Sequence, residues 1–191
     1  SFFWRSVTEG RSYVIGGNSD RENFQEPGSI SRYITEQTCE SCNTYNMLKL
    51  TRRLYAAEPH AAYFDYYERA HLNHIMAHQR PSDGMFAYMV PLMSGTAREF
   101  SEPFDSFWCC VGTGMESHSK HGDSIFWQDP ETLYVNLFIP SELRWDERRA
   151  EISLDTGQPY GERVELRIDS IGTREPFAVA MRLPAWCQEP S

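Results

Sequence analysis

Five cysteines stand at positions 39, 42, 109, 110 and 187 of this 191-residue sequence. Glu40-Ser41-Cys42 offers a carboxylate and a thiol, and Cys109-Cys110 offers two more thiols much later in the chain. Zn²⁺ takes four ligands in a tetrahedron, drawn from Cys, His and carboxylate, so the set is a candidate soft-metal site. Metal binding keeps a thiol as thiolate, which is also the form that acts as a nucleophile. The competing reading is a group of unrelated buried thiols, because free cysteine is commonly buried. An odd number of cysteines argues against a complete disulfide framework. Cys39 is an extra thiol that could replace Glu40 and give a closed four-cysteine site, and Gln37-Thr38-Cys39 offers a competing alignment of the Glu-x-Cys type.

His71, His74 and His78 fall at i, i+3 and i+7, on one face of a helix. Such a row could bind a metal. No carboxylate accompanies it at matching spacing, so a packed, hydrogen-bonded set is expected. His118 and His121 are left without a role. Glu102 and Asp105 precede the cysteine pair and could support its members by hydrogen bonding.

The elements that must hold these groups follow from periodicity. Tyr45, Leu48, Arg52 and Tyr55 predict a helix from about Glu40 to Ala57, ended by Pro59. Phe64, Tyr67, His71, Ile75 and His78 predict a second from about Ala61 to Gln79, antiparallel to the first across a short turn. Residues 84–108 read as mixed, with Met85–Val90 a strand or an extended loop, and residues 113–127 read as helical. After Asp129-Pro130 the pattern changes. Leu133–Ile139 is rich in β-formers, and Glu151–Leu154, Val164–Ile168 and Phe177–Leu183 alternate as half-buried strands do. The fold class is therefore α+β, with helices in residues 1–129 and antiparallel β structure in residues 130–191.

Composition narrows the function. The net charge of −9 comes without a basic patch, which excludes the usual nucleic-acid binders. No apolar run approaches the ~18 residues of a membrane span. Aromatic residues make up 14%, which suits ring faces stacked on sugars and equally suits a large core. The chain opens on Ser1-Phe-Phe-Trp, with neither an initiator Met nor a signal peptide, and closes at Cys187-Gln-Glu-Pro-Ser191. It reads as an internal segment of a longer protein, with compartment and oligomeric state open.

Taken together, Asn18-Ser-Asp-Arg-Glu-Asn-Phe24, Glu40-Ser-Cys-Asn-Thr-Tyr-Asn-Met-Leu-Lys-Leu50, Asp65-Tyr-Tyr-Glu-Arg-Ala70 and Cys109-Cys110 resemble glycoside hydrolase families 127 and 146, the β-L-arabinofuranosidase group. The resemblance spans about residues 10–185. It implies Zn²⁺ held by Glu40, Cys42, Cys109 and Cys110, with Cys109 as nucleophile and Glu22 as general acid/base. It also implies that Glu68 and Tyr88 bind the sugar, and that the fold is the C-terminal part of an (α/α)6 barrel followed by the start of a β-sandwich. Glu40 and Cys42 are preferred over the Cys39 alignment because the family's spacing to Arg52-Arg53 and Glu68 is then kept. The implied partner is a plant-type, arabinose-containing oligo- or polysaccharide. The implied reaction is retaining hydrolysis, with a thiolate in place of the usual second carboxylate. Two other readings compete: a zinc-stabilised binding homologue without activity, and another (α/α)-barrel carbohydrate enzyme. The coexistence of Glu22, Cys109 and Cys110 counts against the first, and the cysteine set against the second. Residues 1–191 taken alone are expected to be poorly soluble and inactive, because barrel faces would lie uncovered.

Overall fold

A computed structural model describes residues 1–188; the last three, the end of the expected β portion, lie outside the described residues. The chain is mixed α+β and forms two compact units, Ser1–His121 and Gly122–Ser191.

The first unit carries α1 (Phe2–Thr8), α2 (Ser41–Ala57), α3 (Ala61–Ala70) and α4 (Cys109–His118). Helix α2 stops where Glu58, extended ahead of Pro59, leaves helical geometry. Helix α3 starts when the His60 ring accepts the Ala62 N–H at 3.2 Å, a side-chain cap on one of the orphan donors. The two helices meet through Tyr55 and Phe64, edge to face at 4.7 Å between ring centroids. Trp4 of α1 adds its indole N–H to Thr51 Oγ1 at 2.8 Å and packs on Tyr63 and Tyr66.

Two expectations about helices need correction. The second helix does not run on as α-helix to Gln79. It ends at Ala70, His71–Ile75 forms one π turn, and Met76–His78 forms a 3-10 turn. The π turn accommodates one extra residue, and His74 lies fully buried within it. The helix read over residues 113–127 begins earlier and ends earlier, at Cys109–His118, and Phe126–Gln128 is a strand. Gly112 and Gly114 depress local helix propensity, but packing overrides it. A Cβ on Gly114 would sit 2.7 Å from the Phe86 ring, so only glycine lets α4 approach that ring.

Met85–Val90 is extended. It makes isolated antiparallel pairings, Gln79 with Phe86, Ala87 with Phe100 and Glu40 with Met89. This segment brings Tyr88 up to the start of α2.

The second unit holds two three-stranded sheets. The first orders β1 (Phe126–Gln128), β2 (Thr132–Val135) and β6 (Ala178–Met181); the second orders β3 (Ser141–Trp145), β4 (Ala150–Thr156) and β5 (Val164–Ile171). Alternation along β4 buries Ala150, Ile152 and Leu154. Ala150 and Ile152 pack with Leu133 and Trp145, backed by Phe126, Leu143, Leu166 and Phe177. The expectation of purely antiparallel structure fails at one pair, since β6 lies parallel to β2. The chain reaches β6 only after the whole β3–β5 sheet, so no hairpin dictates its direction.

Candidate active site

Cys109 is the first residue of α4, after an extended Trp108, and Cys110 follows it into the interior. Glu40 stands immediately before α2, without a side-chain cap bond to it, and Cys42 lies in its first turn. Ser41 N–H donates to Tyr88 O at 3.1 Å and Val90 N–H to Cys39 O at 3.2 Å, which fixes the Tyr88 segment beside the start of α2. These pairings bring the ligand atoms of Glu40, Cys42, Cys109 and Cys110 within 4.8 Å of one another.

The distances suit a tetrahedral ion. With Zn–S near 2.3 Å, ligand sulfurs at tetrahedral corners lie about 3.8 Å apart. Cys109 and Cys110 sulfurs are 3.8 Å apart, Cys42 and Cys110 sulfurs 3.3 Å, and Cys109 Sγ lies 3.8 Å from Glu40 Oε1. All five cysteines are free thiols. Electrostatics points the same way. Burial first, then the charge of Glu22, pushes the Glu40 carboxyl up. Burial likewise raises Cys109. Cys42 is driven well up because it donates to the Cys110 sulfur, and the same bond draws Cys110 down to about 7. A cation seated among the four groups would favour their deprotonated forms. The donor set therefore fits a soft divalent metal ion.

Cys39 is not in the cluster. It is fully buried, with its thiol pushed up to about 12 by burial, and a Cβ on Gly17 would meet its sulfur at 2.9 Å. The geometry thus groups Glu40 and Cys42, not Cys39, with the later cysteines.

Glu22 lies in an exposed turn, and the Tyr88 hydroxyl donates to its Oε1. The Cys109 thiol in turn donates to the same hydroxyl at 3.6 Å. The Glu22 bond is the main reason the Tyr88 phenol is held well above its ordinary range. Tyr88 thus joins the expected acid/base to the expected nucleophile. Glu68 sits half-buried on α3, and its assignment to the sugar rests on the resemblance alone.

The turn bearing Glu22 is held in an unfavourable conformation. Ser19, Arg21, Glu22 and Cys39 all have left-handed backbone, with φ of 75°, 48°, 66° and 61°. Each non-glycine residue there costs on the order of 1 kcal/mol or more and persists only where its surroundings enforce it. The enforcement is visible: Cys39 N–H donates to Ser19 O at 3.1 Å, and Arg21 N–H to Gln37 O at 3.0 Å.

Thr113 escaped the sequence reading, and His74, read there only as packed, proves to support the site. Thr113 Oγ1 lies 3.1 Å from Cys42 Sγ, one helical turn after Cys109; a helix started at Cys109 would have exposed that spacing. His74, fully buried, bridges Thr44 Oγ1 at 2.8 Å and Cys39 O at 2.9 Å, and so props the backbone that presents Glu40. His71, His121 and His118 form a packed chain: His71 Nε2 lies 2.7 Å from His121 Nδ1, whose other nitrogen lies 3.1 Å from His118 Nδ1.

Comparison with known proteins follows this division of the chain. Residues 1–123 match the catalytic domain of the GH127 β-L-arabinofuranosidases, a glycoside hydrolase domain, and residues 132–191 match their middle domain. The chain belongs to the GH127 family of glycoside hydrolases. Among solved structures, the GH127 β-arabinofuranosidase BT3674 superposes with a TM-score of 0.78 at 22% identity, over 96% of this chain and 29% of that one. Ara127N-Se, a GH127 β-L-arabinofuranosidase from Geobacillus stearothermophilus T6, gives 0.79 at 22% identity, over 97% and 31%. The chain thus spans less than a third of either structure's length. No curated protein sequence matches it. No helix among the described residues is long and apolar enough to cross a membrane.

Proposed function

We propose that the protein containing this chain is a zinc-dependent retaining hydrolase of β-L-arabinofuranosides, acting on plant-type arabinose-containing glycans. Residues 1–129 would form the C-terminal part of an (α/α)6 barrel, and residues 130–191 the start of a β-sandwich. The observation that carries the reading is the Glu40–Cys42–Cys109–Cys110 cluster with Tyr88 linking Cys109 to Glu22.

Glu40, Cys42, Cys109 and Cys110 would hold the ion, which when bound supplies charge that keeps the thiols deprotonated near neutral pH. Cys109 has the position of a nucleophile. It is the exposed member of the cysteine cluster, and it sits at a helix N-terminus, where the backbone favours the thiolate. Its sulfur attacks the anomeric carbon while Glu22 gives a proton to the departing oxygen. Glu22 then takes a proton from water as the water displaces the sulfur. Both groups lie within one hydrogen bond of the same Tyr88 oxygen, so they are at most about 6 Å apart, which favours a retaining over an inverting pair. Tyr88 holds Glu22 in place and, with Glu68, binds the sugar.

The test is hydrolysis of an aryl β-L-arabinofuranoside by the full-length protein and its Cys109→Ser variant. Activity that collapses in the variant supports substrate class and nucleophile together. A zinc-loaded but inactive wild type refutes the substrate, and an active Cys109→Ser enzyme refutes the thiolate mechanism. Glu22→Gln with full activity on a poor leaving group would remove the acid assignment.

A further inference from the structure

We propose, resting on the metal-centre reading above, that Thr113 is a positioning residue of that centre: its hydroxyl donates to the Cys42 sulfur, which keeps Cys42 a bound spectator and leaves Cys109 as the thiolate that reacts.

The helix sets the hydroxyl in place. Thr113 stands four residues after Cys109 on α4, and helical side chains lean toward the N-terminus, so Thr113 leans back over the turn that carries Cys109. Its Oγ1 lies 3.2 Å from Cys109 O and 3.1 Å from Cys42 Sγ. Bonding to the carbonyl one turn earlier is common for threonine, and it holds χ1 in the rotamer that also reaches Cys42. Helix propensity does not account for the residue. Thr113 stands between Gly112 and Gly114, which already weaken α4, and a back-bonded threonine adds nothing to a helix.

Counting hydrogens fixes the direction of the bond. As a thiol, Cys42 turns its own hydrogen to the Cys110 sulfur, 3.3 Å away. As a metal ligand it is a thiolate, with lone pairs and no hydrogen, and it can only accept. Thr113 has one hydroxyl hydrogen and two acceptors within reach, and a charged sulfur attracts that hydrogen more strongly than a neutral carbonyl does.

The thiolates then divide their roles. A donated hydrogen bond draws electron density from sulfur and weakens it as a nucleophile, while it eases the negative charge that the ligands gather around one cation. Cys42 is buried and receives such a bond. Cys109 is exposed, and its own hydroxyl neighbour, Tyr88 at 3.6 Å, directs its hydrogen to Glu22. Cys109 thus keeps its lone pairs for the sugar.

The experiment compares the full-length wild type with Thr113→Val, which keeps the shape without the hydroxyl, and Thr113→Ser, which keeps the hydroxyl. Competition with a chromophoric chelator at one fixed pH gives the zinc dissociation constant. Absorption spectra of the cobalt(II)-loaded protein give the sulfur-to-cobalt charge-transfer band. Thr113→Val should raise the zinc dissociation constant about 10-fold and move the band to lower energy, because a sulfur without the donor gives up its electron more readily. Thr113→Ser should restore both. If Thr113→Val does not fold, Thr113→Ala, a better helix former, carries the same comparison. Wild-type affinity and band position without the hydroxyl, or weakened binding that Thr113→Ser does not restore, overturns the role of Thr113 and leaves the metal centre standing. A wild type that takes up neither ion overturns both.

Discussion

Acidification from pH 7.5 to pH 5 should cost the folded protein about 4 kcal/mol through His71 and His74 alone. Both rings are buried. Burial, foremost, and neighbouring histidines hold His71 down to about 4 and His74 down to about 3. In the unfolded chain both should titrate near 6.5. Above that value both states are neutral at these rings and stability does not depend on them. As pH falls below it, the unfolded chain takes up a proton that the folded chain refuses, and stability declines until the folded values near 4 and 3 are reached. Between pH 7.5 and pH 5 each ring contributes a loss of about 2 kcal/mol. The assay is urea unfolding of the full-length protein at half-unit steps over this range, beside His71→Gln. Protons taken up by carboxylates and by metal-binding thiols are common to both proteins. The variant should lose about 2 kcal/mol less than the wild type across the window. Equal losses in the two would show that the His71 ring is protonated in the folded state and would refute the reasoning.

Gly17→Ala should destabilise the protein by about 1–3 kcal/mol, because the new Cβ would meet His74 Nδ1 at 2.7 Å and Cys39 Sγ at 2.9 Å; an unchanged urea midpoint would contradict that packing. In native protein stripped of metal by a chelator, iodoacetamide should alkylate Cys109 before Cys39, Cys42 or Cys110, since only Cys109 of the four is exposed. Peptide mapping reads the order, and early modification of Cys42 or Cys110 would contradict the burial.

Part of this was legible in the sequence. Residue types and spacing left a ligand set and a group of unrelated buried thiols both open, and the resemblance chose Glu40, Cys42, Cys109 and Cys110; the structure gathers those four groups. The histidine row read as packed, as it is. What stayed hidden depends on distant contacts. The π turn at His71–Ile75 answers to the partners of His74 on α2 and at Cys39, not to local propensity. The start of α4 was masked by Gly112 and Gly114, the latter set by the Phe86 ring. Nothing in Ser19, Arg21 or Glu22 as residue types demands a left-handed backbone; hydrogen bonds from residues 37–39 impose it on the first two. The parallel seat of β6 depends on everything threaded between it and β2.

The thiol cluster also joins chain segments 68 residues apart, from Cys42 to Cys110, with no permanent bond between them. A permanent cross-link over such a span would remove loop-closure entropy worth about 4 kcal/mol from the unfolded chain. An ion seated there would act as a removable staple, whose strength rises and falls with the free ion concentration. The lifetime of the folded protein would then track metal supply and not the thiol–disulfide poise of its surroundings. Where the free ion is scarce, the folded state would lose that staple and open more readily to proteolysis.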